Sequence, residues 1–104
     1  MVEFDEQVRG TVGVLGVAGE IDMASADEFR DRLLACLERS DSLEVDMAGV
    51  TFIDSSGLAA LVRLRTEAEI AGRDVALVNV SSSTARLLEL TGLQGLFDVE
   101  LPRS

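Results

Sequence analysis

The stretch VTFIDSSGLAAL, Val50 to Leu61, decides how this chain is read. Val50, Thr51, Phe52 and Ile53 are β-branched or aromatic, as a strand prefers. The run stops at Asp54-Ser55-Ser56-Gly57, and Leu58, Leu61, Val62, Leu64 and Ala68 then recur at helical spacing. A strand therefore feeds a helix, expected over residues 56–71, with Gly72 as a left-handed C-cap. Arg63, Arg65 and Glu67 fall on its outer face.

The same alternation extends in both directions. Upstream, Leu43-Glu44-Val45-Asp46-Met47 alternates as a half-buried strand should. Before it, a helix is expected over residues 25–39, with Ala26, Phe29, Leu33, Cys36 and Leu37 as its apolar stripe. Ser25 and Glu28 have the spacing of a capping box. Residues 2–8 and 11–18 read as two strands of a hairpin turning at Gly10, and Gly13 and Gly16 mark a bulge or close packing. Gly19, Glu20, Ile21 and Asp22 read as a turn. Downstream, residues 75–80 are almost continuously apolar, the pattern of a central strand covered on both faces. Ser82 and Ser83 cap a short helix carrying Leu87, Leu88 and Leu90, closed by Gly92. Residues 97–101 form a last short strand or a docking tail. The order β-β-α-β-α-β-α plus a short C-terminal segment predicts an α/β fold, a mixed sheet of four to five strands with helices packed against it.

Composition narrows the function. The 104 residues fit one domain, residues 1–104, and no repeat or linker interrupts them. With 47 % hydrophobic residues the chain builds a core without metals or disulfides. Nineteen acids face nine arginines and no lysine, a formal net charge of −10. Such a surface repels phosphate backbones and anionic lipid, so neither nucleic acid nor membrane is an expected partner. A basic patch on another protein suits it better. Cys36 is the single cysteine, which excludes an internal disulfide and leaves a small core residue. The N-terminus has no basic and apolar signal pattern, and no apolar run approaches the roughly 20 residues of a membrane span. The expected setting is the cytoplasm.

Asp54-Ser55-Ser56-Gly57 stands where strand ends and helix starts meet, the usual place for sites in such folds. Capping is the commoner reading, since Asp and Ser are preferred N-cap residues. A phosphate on a serine is the sharper one. The first helical turn offers free N–H groups and the positive end of the helix dipole, so it tolerates an added anion. Both roles hold together if one side chain caps and another is exposed. Chemistry alone leaves Ser55 and Ser56 both open as phosphate acceptors. Gly57 is read as keeping the serines uncrowded and giving a partner close access.

The stretch VDMAGVTFIDSSGLAALVRL resembles the signature of the STAS domain in the anti-sigma factor antagonist family. VLGVAGEIDMASADEFRDRL is similar to that family's second strand, Gly-Glu-Leu-Asp turn and first helix, with Ile21 where Leu is common. ARLLELTGLQGLFDV resembles its Leu-rich last helix and Gly-Leu turn. The resemblance covers nearly the whole chain in order. It implies a STAS fold and a binding protein of transcription regulation, in stress response or sporulation. In that family the serine after the Asp is phosphorylated by a partner serine kinase that is also the anti-sigma factor. The unphosphorylated antagonist binds this kinase and releases the sigma factor, and a metal-dependent Ser/Thr phosphatase resets the switch. Carried over by position, the phosphorylated serine is Ser55, with Ser56 as second candidate. The partner-facing residues are Gly19, Glu20, Ile21, Asp22, Asp54, Ser55, Ser56, Gly57 and Leu58. The resemblance implies no catalytic residue and no cofactor, and a monomer or weak dimer is expected.

Rival chemistries fit less well. A serine nucleophile in Gly-x-Ser-x-Gly form needs Gly where Ile53 stands, and the chain has no His or Lys to act as its base. A phospho-aspartate receiver normally uses a Lys near the phosphate and a pair of acids after its first strand. Asp22, Asp46 and Asp54 gathered at one sheet edge would bind Mg²⁺ weakly, but scattered acids in so acidic a chain are more often solvated surface, and no required metal is expected. Gly10, Gly13, Gly16 and Gly19 match no phosphate-binding loop. The alternative inside the fold is a STAS accessory subunit of an ABC-type lipid transporter, binding its ATPase without a phosphorylation cycle.

Overall fold

The alternating and helical patterns assemble into one five-stranded sheet carrying three helices in a computed structural model, which describes residues 2–102. The strands are β1 (Val2–Arg9), β2 (Val12–Ile21), β3 (Ser42–Ile53), β4 (Asp74–Val78) and β5 (Asp98–Val99). They lie in sequence order, β1 antiparallel to β2 and every later pair parallel. The helices are α1 (Ala26–Glu38), α2 (Ser55–Ala71) and α3 (Ser82–Leu90), followed by a single 3₁₀ turn.

One face of the sheet holds the core. Leu15, Val45 and Leu77 stand side by side across β2, β3 and β4 and are completely buried. Phe29 and Leu33 of α1, Leu61 and Leu64 of α2 and Leu88 of α3 close over them. The apolar stripe of α1 is buried residue for residue as its spacing predicts. The next residues along each strand point the other way. Val14, Glu44 and Ala76 form one such row and Asp5, Gly16, Asp46 and Val78 another.

That one-sided arrangement corrects the reading of residues 75–80. Only Leu77 of β4 is buried, and Val75, Ala76 and Val78 are half-buried. All three helices contribute to the core on a single face, so the apolar run is not covered twice. The strand ends at Val78 because Asn79 takes a left-handed conformation, φ 54°. Asn79 then donates its side-chain amide to Asp46 at 3.0 Å. The short last strand is present, with Glu100 extending it by hydrogen bonds to Leu77 and Val80.

β3 is one strand of 12 residues, not two pieces. Its pairing with β2 slips twice, between Gly16 and Ala18 and between Gly19 and Glu20. Each slip inserts one extra residue in β3, a bulge that bends and twists the strand. The net result returns Ile53 to the core beside Ile21 and leaves Phe52 opposite Glu20, both exposed. β2 correspondingly runs to Ile21, so Gly19, Glu20 and Ile21 belong to the strand, and the turn begins only at Asp22.

Candidate functional site

The site is built where β2 and β3 end. Ile21 and Ile53 are neighbours in register, and the N–H of Asp54 donates to the carbonyl of Ile21 at 3.1 Å. The β2–α1 turn and the start of α2 are thereby locked to each other. Gly57 completes the lock. A Cβ there would sit 2.6 Å from Cγ1 of Ile53 and 2.7 Å from Cγ2 of Ile21. Only glycine lets the first turn of α2 settle on the two isoleucines. This corrects the sequence reading: Gly57 is buried and faces the core, not a partner.

Asp54 is the N-cap of α2. One carboxylate oxygen accepts from the N–H of Ser56 at 2.9 Å and of Gly57 at 3.3 Å, and from the hydroxyl of Ser56 as well. The Ser56 hydroxyl is the main cause holding the Asp54 carboxyl below its ordinary value; desolvation, the next largest influence, opposes it, and the N–H groups of Gly57, Ser56 and Met23 add to the lowering. Ser56 is half-buried and committed to this bond. Ser55 is exposed in the first helical position. Capping and exposure are thus divided among adjacent residues.

The capping box expected at α1 does not form. Ser25 makes no side-chain cap bond. Its hydroxyl turns back, donating to the carbonyl of Glu20 at 3.0 Å and accepting from the N–H of Asp22 at 3.1 Å. Asp22 takes over the turn, accepting from the N–H groups of Ala24 at 3.0 Å and Ser25 at 3.3 Å. Ser25 is buried, a polar pin that fixes the turn in place. Helical cap statistics point to the right residue for the wrong bond. At α3 the cap is Ser81, one residue before the expected pair; it accepts from the N–H of Thr84 at 3.2 Å.

Of the predicted partner-facing residues, Glu20 and Ser55 are exposed, and Gly19, Asp22, Asp54 and Ser56 are half-buried around them. Ile21 and Leu58 join Gly57 inside. They position the surface and do not form it. Two side chains the sequence reading passed over stand on the same end of the sheet. Met23, at the tip of the β2–α1 turn, is 84 % exposed, and Phe52 is 51 % exposed. Their apolar character is plain in sequence, but only the turn and the β3 bulges turn them outward. Among the described residues no three acids or cysteines gather into a metal-holding group, so Asp22, Asp46 and Asp54 stand apart in this respect. No helix of the described residues is long and apolar enough to cross a membrane.

The mixed sheet and the order of strands and helices agree with comparisons to known proteins. The STAS domain family model matches residues 3–102, and the chain belongs to that family. The anti-sigma-B factor antagonist of Bacillus subtilis (strain 168) is 32 % identical over 85 residues, covering 82 % of this chain and 78 % of that protein. The crystal structure of an anti-sigma factor antagonist from Mycobacterium paratuberculosis superposes with a TM-score of 0.86 at 27 % identity, covering 99 % of this chain and 87 % of that one. The Bacillus cell fate determinant SpoIIAA in its phosphorylated form superposes with a TM-score of 0.72, covering 93 % of this chain and 90 % of that one. At 19 % identity this last likeness is one of fold.

Proposed function

We propose that the chain is an anti-sigma factor antagonist, a binding module whose unphosphorylated form holds an anti-sigma factor serine kinase and so releases a sigma factor. Phosphorylation of Ser55 by that kinase switches it off, and a Ser/Thr phosphatase restores it. The protein acts in the cytoplasm without catalysing a reaction and without a cofactor. The observation that carries the reading is the division of labour at the start of α2. Asp54 caps, the hydroxyl of Ser56 is bound to Asp54, and Ser55 presents its hydroxyl to solvent. The names of the relatives supply the partner class.

The switch works by charge. A phosphate adds about 1.5 to 2 negative charges at pH 7. The helix N-terminus accepts that charge without unfolding. Arg30 and Arg63 line the groove between α1 and α2 beside Ser56 but are already paired, Arg30 with Asp27 and Asp31 and Arg63 with Glu67. On Ser55, an exposed position, the phosphate would stand beside the ionised Asp54. A partner shaped for a neutral hydroxyl would have to bury an unpaired dianion, a penalty of several kcal/mol. That is enough to weaken binding a hundred-fold or more, since about 1.4 kcal/mol is a factor of ten.

The test is intact mass and peptide mapping after incubation with ATP and each purified anti-sigma serine kinase of the source genome, followed by affinity measurements. One phosphate mapped to Ser55, tight binding by Ser55→Ala and weak binding by Ser55→Asp are expected. Phosphate at another residue, or equal affinity of the two variants, overturns the reading.

A further inference from the structure

We infer that Met23 and Phe52 are the two apolar anchors of the partner interface, both at the end of the sheet that carries the phosphate-accepting turn. The inference rests on the proposed function and adds to it where the affinity comes from. The occupant is the serine kinase that phosphorylates Ser55, and the surface it meets is continuous with that serine.

The two side chains differ from an ordinary scatter of exposed apolar groups. Single exposed hydrophobics are common and need no explanation. Val8 and Ile70 are of that kind, in β1 and near the end of α2. Met23 and Phe52 are instead held on rigid supports at the end of the sheet that carries Ser55. The N–H of Asp54 donates to the carbonyl of Ile21, two residues before Met23, which ties the base of the turn to the start of α2. Asp22 and Ser25 fix the rest of that turn. Phe52 is paired in the sheet opposite Glu20 and follows the second bulge of β3.

Each anchor borders its own hollow. Met23 lies with Ala26, Arg30, Ser56, Ala59 and Arg63 around a groove of about 460 Å³ between α1 and α2. Phe52 lies with Val50, Ser81, Thr84 and Leu87 around one of about 220 Å³ between β3 and the start of α3. Ile53 borders the second hollow and Ser56 the first, so Ser55 lies along the chain between residues of both, and Glu20, Asp22 and Asp54 bring acidic groups to the same end of the sheet. The complementary surface is therefore a neutral pocket for the serine hydroxyl, flanked by two apolar recesses within a basic rim. Hot-spot residues sit near an interface centre and are ringed by contacts that exclude water. Backbone supports already held in place lose little freedom on binding. Affinity then comes from Met23 and Phe52, while the state of Ser55 decides whether the flanking contacts can close.

The experiment measures Kd by calorimetry with the purified kinase that phosphorylates Ser55. Met23→Gln and Phe52→Thr are each expected to weaken binding roughly ten- to a hundred-fold, the range of anchor truncations. Met23→Leu keeps the apolar contact and is expected to bind within a few-fold of the unchanged protein. Ile70→Gln and Val8→Thr are expected to leave Kd unchanged. Unchanged binding by Met23→Gln and Phe52→Thr, with Ser55→Asp still weak, overturns the anchors and leaves the switch standing. Unchanged binding by Ser55→Asp instead removes the switch on which the anchors rest. Met23 is at a turn tip, so Met23→Gln carries the test if Phe52→Thr lowers the melting temperature.

Discussion

The hydroxyl of Ser56 is hydrogen-bonded to the carboxylate of Asp54, two residues earlier, and this one contact separates two serines that are equivalent in sequence. With Ser56 engaged, a kinase that needs a free hydroxyl is directed to Ser55. Ser56→Ala is expected to leave phosphorylation at Ser55 intact, and Ser55→Ala to abolish it without transfer to Ser56. Phosphopeptide mapping of the two variants decides this.

Asp54 also makes the turn pH-sensitive. Its carboxyl is held below the ordinary value of 3.8, so the folded state binds its proton less readily than the unfolded chain. The stabilisation is present above the unfolded value and is lost as pH falls through the folded one. Asp54→Ala is expected to lower the melting temperature at pH 7 by about 5 °C, as for a lost cap, and to flatten the loss of stability below about pH 4. Thermal melts from pH 7 down to pH 2.5 check both.

Gly57→Ala sets two effects against each other. Alanine is favoured over glycine in a helix by about 1 kcal/mol. Its Cβ would lie 2.6 Å and 2.7 Å from atoms of Ile53 and Ile21, both buried, and overpacking of this kind costs about 1–3 kcal/mol. The clash is expected to win, with a net loss of up to about 2 kcal/mol by denaturant unfolding. In an Ile53→Ala background the added penalty of Gly57→Ala is expected to shrink, because one of its opposing side chains is gone.

Cys36 is expected to be inert in the folded protein. Burial pushes its thiol up to about 11, and Glu6 adds to the effect. Against an ordinary value of 9.0 the thiolate fraction at pH 8 falls by about a hundred-fold. A thiol reagent at pH 8 should therefore label the native protein at least that much more slowly than the protein in denaturant.

The core of the fold was legible because it repeats simple periods. Leu43, Val45 and Met47 alternate, and Phe29, Leu33, Cys36 and Leu37 follow one helical face. Gly72 closes α2 at φ 68°, where a left-handed residue was expected. The run Val75 to Val80 misled because an apolar residue on a sheet's open face looks the same in sequence as one under a helix. Ser25 misled because a hydroxyl before a helix has two nearby places to bond, and the end of β2 offered the better one. The meeting of strand end and helix start at Asp54 was legible, and the engagement of Ser56 with Asp54 was not, because it depends on a rotamer. Phe52 and Met23 escaped notice because strand alternation is reset by the bulges in β3, and turn geometry decides where a methionine points.

The bond from Asp54 to Ile21, with Gly57 packed against the two isoleucines, braces the serine turn on the ends of β2 and β3. Under the proposed reading, signal and output then share one rigid element, and no slow structural step separates them. The latency of the circuit is set by the turnover of the enzymes that write and erase the mark. Its memory lasts as long as the phosphate ester itself.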